Sequence, residues 1–172
     1  MIALGTGIIP ICDERGRTIA FGGRVLGDEL PKYLNSPETP IYSKRRELFG
    51  LFRAKGAISR ENRAIVVEGY MDAISVYDAG VQNVVASLGT SFTMEQAKKI
   101  LRYTKNICFC YDSDAAGQNA TVRALAIAQN AGLTGHVILI PAGKDPDEFI
   151  RMKGAEAFRE LVNNSIGMVD YH

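Results

Sequence analysis

Histidine and zinc-type cysteine spacing are what this chain most lacks. Its 172 residues include two histidines, His136 and His172, and three cysteines, Cys12, Cys108 and Cys110, none in a CxxC pair. That argues against a structural zinc site, which needs a close set of such ligands. An odd cysteine count, with two of the three inside an apolar run, reads as reduced, buried thiols in a cytosolic protein. Long hydrophobic runs are missing too, and none approaches the ~20 residues that a membrane helix needs. The opening "MIALGTGIIPICD" has no positively charged n-region, which argues against a signal peptide. Aromatic residues make up 8% and interleave little with basic ones, which gives little of a stacking platform for single strands. The net charge is only +1, so composition carries no polybasic signal, and there is neither an internal repeat nor a low-complexity segment.

What is present is a 47% hydrophobic chain, enough for one buried core and a smaller appended subdomain. Charge is unevenly spread. Lys44, Arg45, Arg46, Arg53, Lys55, Arg60 and Arg63 stand against only Glu47 and Glu61, and the acids gather from Glu68 onward. A basic first third beside an acidic later part suits a protein that holds both a polyanion and a metal.

Residues 8–27 read as a meander, with "IIPICD" and "TIAFGG" as strands around a turn at residues 14–17. "LPKYLNSPETP" reads as an irregular loop. Residues 43–55 predict a helix with Ser43 as N-cap and Leu48, Leu51 and Phe52 on one face. From residue 64 short apolar runs alternate with helical patterns: "AIVVE", "NVVASL", "NICFCYD" and "HVILI" as strands. Between them come a helix stopped by Gly80, one opened by a Thr93–Gln96 capping box, one over 115–131 ended by Gly132, and a last helix from Asp147 to Asn163. This rhythm predicts an α/β fold with a parallel sheet covered by helices.

Ligand sites in such sheets gather at the carboxyl ends of the strands. Acids stand there. Glu68 ends the first strand, with Asp72 one helical turn beyond. Asp112 and Asp114 follow the third, and Asp145 and Asp147 follow the fourth. Residues i and i+2 of an extended segment point the same way, so each Asp pair can aim two carboxylates at one point. Two unit charges at ~4 Å repel by on the order of 4 kcal/mol at an effective dielectric near 20, and hard divalent cations bound through oxygen are the usual remedy. Taken singly, each acid has a plain alternative: Asp114 can cap the helix at 115, and Asp145 or Asp147 can cap the last helix. Three clusters at one edge favour the metal site, with Glu68 as the stronger catalytic candidate and Asp72 as support.

These residues, "EGYMD" at 68–72, "VASLGTSFT", "YDSDAAGQNA" and "GKDPDEFI", resemble the TOPRIM domain of bacterial replicative primases. "FGGRVLGDELPKYLNSPETPIYSKRRELFGL" resembles the basic subdomain that precedes it in the primase RNA-polymerase core. "EGYMD" and DxD alone are shared with topoisomerases, recombination proteins and small nucleases; "FGGR" with "KYLNSPET" points to primase. The resemblance implies a TOPRIM-type, mainly parallel sheet of about four strands, preceded by a small α+β subdomain. It implies residues 1–62 as the end of the basic subdomain, 63–150 as TOPRIM, and 151–172 as the start of a helical region. It implies Glu68, Asp112 and Asp114 as catalytic acids and metal ligands. Asp72, Asp145 and Asp147 would complete the acidic cluster, and Lys32, Asn35, Lys44 and Arg24 would contact nucleic acid or nucleotide.

The activity implied is a DNA-directed RNA polymerase that makes primers on single-stranded DNA from nucleoside triphosphates, with Mg²⁺ (or Mn²⁺) as cofactor and no zinc in this segment. Partners implied are template, RNA–DNA heteroduplex and, through a domain not in this sequence, the replicative helicase, in the bacterial cytoplasm with no membrane. The zinc-binding domain and the first part of the polymerase core of such primases are not in this sequence, so it is expected to be a fragment with weak or no synthesis alone. Ser113 stands where the family often has glycine. A stand-alone TOPRIM nuclease and a non-catalytic nucleic-acid-binding module are the alternatives; neither needs the "KYLNSPET" segment together with the complete acid set.

Overall fold

The computed structural model describes residues 6–25, 31, 33–141 and 144–167. Strands β1 (Thr6–Cys12), β2 (Thr18–Val25) and β3 (Tyr33–Asn35) form an antiparallel sheet in that order. The β1–β2 turn is held by Asp13, whose Oδ1 accepts the Arg15 and Arg17 amides at 2.9 and 3.0 Å. Gly16 sits there at φ 84, and a Cβ on it would strike the Phe52 ring at 2.8 Å.

Strand β3 lies inside the stretch expected to be an irregular loop. β2 offers a free edge, and Tyr33–Asn35 pair with Arg24, Gly23 and Gly22 along it. Tertiary pairing thus overrides the prolines that flank the segment.

The helix expected over 43–55 begins later, as α1 (Leu51–Glu61), and Ser43 does not cap it. Residues 44–46 form a turn, and Phe49 is drawn into a bridge with Ala86 through hydrogen bonds of 2.8 and 3.1 Å. Gly50 then adopts φ 81, a left-handed conformation that no helix interior contains. Leu51, Ala54 and Ile58 face inward at helical spacing, whereas Phe52 is 44% exposed.

The second sheet is built from β4 (Ala64–Val67), β5 (Val84–Ala86), β6 (Asn106–Phe109), β7 (Thr134–Val137) and β8 (Ile166–Gly167), in the order β5-β4-β6-β7-β8. The four expected strands are parallel, and β8 adds an antiparallel edge. The helices are α2 (Tyr70–Asp78), α3 (Met94–Leu101), α4 (Ala115–Ala131), α5 (Pro146–Lys153) and α6 (Ala155–Asn163). The last two replace the single helix expected from Asp147 to Asn163, because Gly154 breaks the run at φ 88. The capping box of Thr93 and Gln96 on α3 and the stop of α4 at Gly132 are as expected.

The period of two along β4 sorts its side chains between two cores. Ala64 and Val66 pack with α1, α3 and α4 on one face, while Ile65 and Val67 pack with α2, α5 and α6 on the other. Consequently the chain leaves β4 over one face and leaves β6 over the opposite face. β4 and β6 are neighbours, so their carboxyl ends flank a topological switch point, the crevice where open α/β sheets bind ligands. A third cluster, Ile11, Ala20, Tyr42, Tyr70 and Leu88, fastens the small sheet to that edge. Cys12, Cys108 and Cys110 are all free thiols, the last two buried.

Candidate functional site

Glu68 follows β4 directly and Asp112 lies just beyond β6. The Glu68 Oε1 accepts the Asp112 amide at 3.0 Å, so the two strand ends are tied through the acids themselves. Asp112 Oδ1 is buried and makes no hydrogen bond. Burial, then the charges of Glu68, Asp145 and Asp114, push the Asp112 carboxyl up to about 6. Asp72, on the first turn of α2, accepts the Asp147 amide at 3.4 Å. It is pushed up to about 7, first by burial and then by the Asp145 charge, with Asp112 and Asp147 adding to it and the Asp147 amide opposing.

Asp114 and Asp145 are the N-caps of α4 and α5, accepting the Gly117 and Glu148 amides at 2.7 Å each. Both nonetheless raise Asp112 electrostatically, so capping places their charges at the same edge. Gly117 is required here: a Cβ on it would lie 2.0 Å from the Asp112 carbonyl oxygen. Asp147 differs from the other acids. Hydrogen bonds from the Arg151 guanidinium and the Ser75 hydroxyl, with the nearby charge of Arg24, hold it below its ordinary range against its partial burial. The Ser113 hydroxyl donates to the Lys144 carbonyl at 3.4 Å, linking the two acidic loops.

Thus Glu68, Asp72, Asp112, Asp114, Asp145 and Asp147 share one electrostatic neighbourhood. Among the described residues, however, no three His, Cys, Asp or Glu side chains are placed to enclose one ion. A Mg²⁺ ion does not require that, since it binds through one or two carboxylates and keeps several waters. A buried orphan oxygen on Asp112, two acids driven toward neutrality and an all-oxygen donor set fit a hard divalent cation.

The basic candidates separate. Arg24, on β2, lies 5.9 Å from the centre of the Tyr33 ring and within electrostatic reach of Asp147. Asn35, on β3, accepts the Tyr70 hydroxyl at 3.1 Å and donates to the Leu88 carbonyl at 3.4 Å. It therefore pins the small sheet to α2 and to the loop after β5. Lys44 is fixed by its backbone, donating to Glu38 at 2.8 Å and accepting from Gln96 at 3.3 Å, and no described contact joins it to the acids. Lys32 lies outside the described residues.

Sequence reasoning missed Tyr70, Ser75 and Arg151. Arg151 stands four residues after Asp147 on α5, so helical spacing carried that signal, whereas Ser75 reaches Asp147 from α2, a contact that no local spacing carries.

The Toprim-like family profile matches residues 65–150, the segment that carries every one of these acids. The chain belongs to the Toprim-like family. Ahead of this Toprim-like segment, residues 7–55 match the N-terminal domain of the DNA primase catalytic core. The chain is similar to the DNA primase of Clostridium acetobutylicum, 52% identical over 165 residues, covering 95% of this chain and 27% of that one. It is 45% identical to the DNA primase of Aquifex aeolicus over 159 residues, 92% of this chain and 32% of that one. Among solved structures, it superposes on the zinc-binding and RNA polymerase domains of the Aquifex aeolicus primase with a TM-score of 0.92 at 42% identity, covering 97% of this chain and 42% of the other. It superposes on a DnaG primase catalytic domain bound to ssDNA with a TM-score of 0.89 at 42% identity, covering 97% and 55%. The chain spans about a quarter to a third of the length of the curated relatives it matches.

Proposed function

We propose that this Toprim-like chain is the metal-binding part of a bacterial DNA primase catalytic core and serves template-directed RNA primer synthesis on single-stranded DNA. The observation that carries it is the meeting of Glu68 and Asp112 at the switch point, with the primase-type small sheet fastened there through Asn35 and Tyr70. In the reaction, the 3′-hydroxyl oxygen of the primer bonds to the α-phosphorus of a nucleoside triphosphate. The bond to the bridging oxygen breaks, and pyrophosphate leaves with that electron pair. The hydroxyl proton passes to the Glu68 carboxylate, which the Asp112 amide orients through Oε1.

Asp112 and Glu68, supported by Asp72, Asp114, Asp145 and Asp147, would hold Mg²⁺ or Mn²⁺, which when bound supplies positive charge against that developing on the phosphate. Arg24 and Asn35 face the same edge from the small sheet, Lys32 immediately precedes β3 in sequence, and Lys44 belongs to the segment that follows the sheet. Together they form the proposed contact to nucleic acid or nucleotide phosphates, so binding weakens as salt rises. Residues 1–62, 63–150 and 151–172 are the proposed division into basic subdomain, Toprim domain and start of the helical region. α1 nevertheless shares the core of the parallel sheet. The helicase contact belongs to a part of such primases outside this sequence, and the setting is the bacterial cytoplasm.

Crystals soaked with Mn²⁺ and a nucleoside triphosphate test the proposal. Anomalous density beside Asp112, lost in Asp112→Asn, is the expected result; no density there at millimolar metal contradicts it.

A further inference from the structure

Beside Glu68, on the side of the sheet covered by α4, lies a cavity of about 400 Å³. It shares Glu68 as a wall with the acidic edge but contains none of the five aspartates. Phe92, Tyr111, Ala120 and Ile127 give it apolar walls, and the hydroxyl residues Ser87, Thr90 and Ser91 also line it. Ser87 is only 4% exposed, and its hydroxyl lies by the Tyr111 phenol yet makes no hydrogen bond of normal geometry. That hydroxyl lines the cavity. Arg123 stands at the rim on α4 with no carboxylate partner among the described residues.

Apolar walls, three hydroxyl residues and one unpaired cation, all next to the Glu68 carboxylate, match the parts of one ligand class. The apolar walls fit the flat face of a base, the hydroxyls fit a ribose, and the guanidinium fits a phosphate on its far side. Two cavities away from the acidic edge lack this pairing. The one at the amino edge of the sheet is lined by Arg60, Arg63 and Arg159, whose groups already bond Glu61, the Val162 carbonyl and the Ala79 carbonyl. The apolar one between β1, α1 and α2 has nothing to say what covers it.

We propose that the cavity beside Glu68 is the subsite for the 3′-terminal nucleoside of the RNA strand, bringing its hydroxyl to that carboxylate. The assignment rests on the function proposed above. It makes Ser87, Thr90 and Ser91 readers of the ribose, because the 2′-hydroxyl is the group that separates RNA from DNA at a given site.

The test uses amide NMR spectra of this chain titrated with adenosine, which carries no phosphate and needs no metal. Saturable shifts at Thr90, Ser91, Ala120 and Arg123 are expected. Ala120→Leu, which fills the cavity from the partly exposed face of α4, should weaken binding about tenfold, and 2′-deoxyadenosine should bind about threefold more weakly than adenosine. Arg123→Gln, on an exposed position, should weaken adenosine 5′-monophosphate while leaving adenosine unchanged. No saturable shift up to the solubility limit overturns the assignment, as does adenosine binding that neither Ala120→Leu nor removal of the 2′-hydroxyl affects. Paramagnetic broadening by Mn²⁺ in the same samples separates the two readings. Broadening at Asp112 without adenosine shifts defeats the subsite alone, whereas its absence defeats the proposed function.

Discussion

The two edges of the parallel sheet are built from similar short loops and behave in opposite ways. At the amino edge three polar side chains close on neighbours. Asn83 donates to the Arg63 carbonyl at 2.9 Å, Thr104 to the Asn62 side chain at 2.9 Å, and Asn106 to the Asn62 carbonyl at 3.0 Å. At the carboxyl edge Asp112 keeps a buried oxygen unpaired, and repulsion plus burial drive Asp72 and Asp112 toward neutrality. A buried, unrelieved carboxylate costs stability, so one edge contributes to the fold and the other holds an unfavourable arrangement that a cation would relieve. The small sheet, joined to the second edge by Tyr70 and Asn35, brings a positive group toward it from outside.

This contrast can be broken most severely at Gly117. Gly117→Ala forces a methyl against the Asp112 carbonyl and should destabilise the chain by about 3 kcal/mol while also weakening metal binding, read by thermal melts with and without Mn²⁺. Asn83→Ala, at the opposite edge, should lower stability by about 1–2 kcal/mol and leave metal affinity unchanged. Equal losses of metal binding from these two substitutions would erase the distinction between the edges.

The next effect is on pH. Asp72 and Asp112, with an ordinary value of 3.8 and raised values of about 7 and about 6, bind protons more tightly folded than unfolded. The stability that these two groups contribute without metal is therefore fully present below the ordinary value and is lost as pH rises through the raised ones. Melts of metal-free chain should show a higher midpoint near pH 5 than near pH 8, with Asp72→Asn flattening the slope. Added Mg²⁺ should raise the midpoint more at the alkaline end. The smallest expected effect is that of Asn35→Ala, about 1 kcal/mol, loosening the small sheet through loss of the Tyr70 hydroxyl's partner, with faster amide exchange in β3 as the readout.

Much of the fold is legible in the amino-acid sequence. The strand–helix rhythm from residue 64 is readable because each strand is an uninterrupted apolar run and each helix carries its own stop or cap, as at Thr93 and Gly132. The departures fall where distant pairing outweighs local pattern. Phe49 bridges Ala86, which delays α1, and β2 recruits Tyr33–Asn35 from a proline-flanked stretch. Gly154, within an otherwise continuous helical pattern, is the local signal for the break between α5 and α6. Spacing can bring the six acids to one edge, but it cannot rank them. Ranking needs the ion pair that neutralises Asp147, the caps that engage Asp114 and Asp145, and the burial that leaves Asp112 unpaired.

The most direct test of the carboxyl edge is calorimetric titration of Mn²⁺ into the chain near pH 8, for the unaltered protein and for Asp112→Asn. Saturable binding that Asp112→Asn abolishes, together with a higher metal-free melting midpoint for that variant, is the predicted result. Binding of equal strength in both proteins, or a variant less stable than its parent without metal, would contradict it.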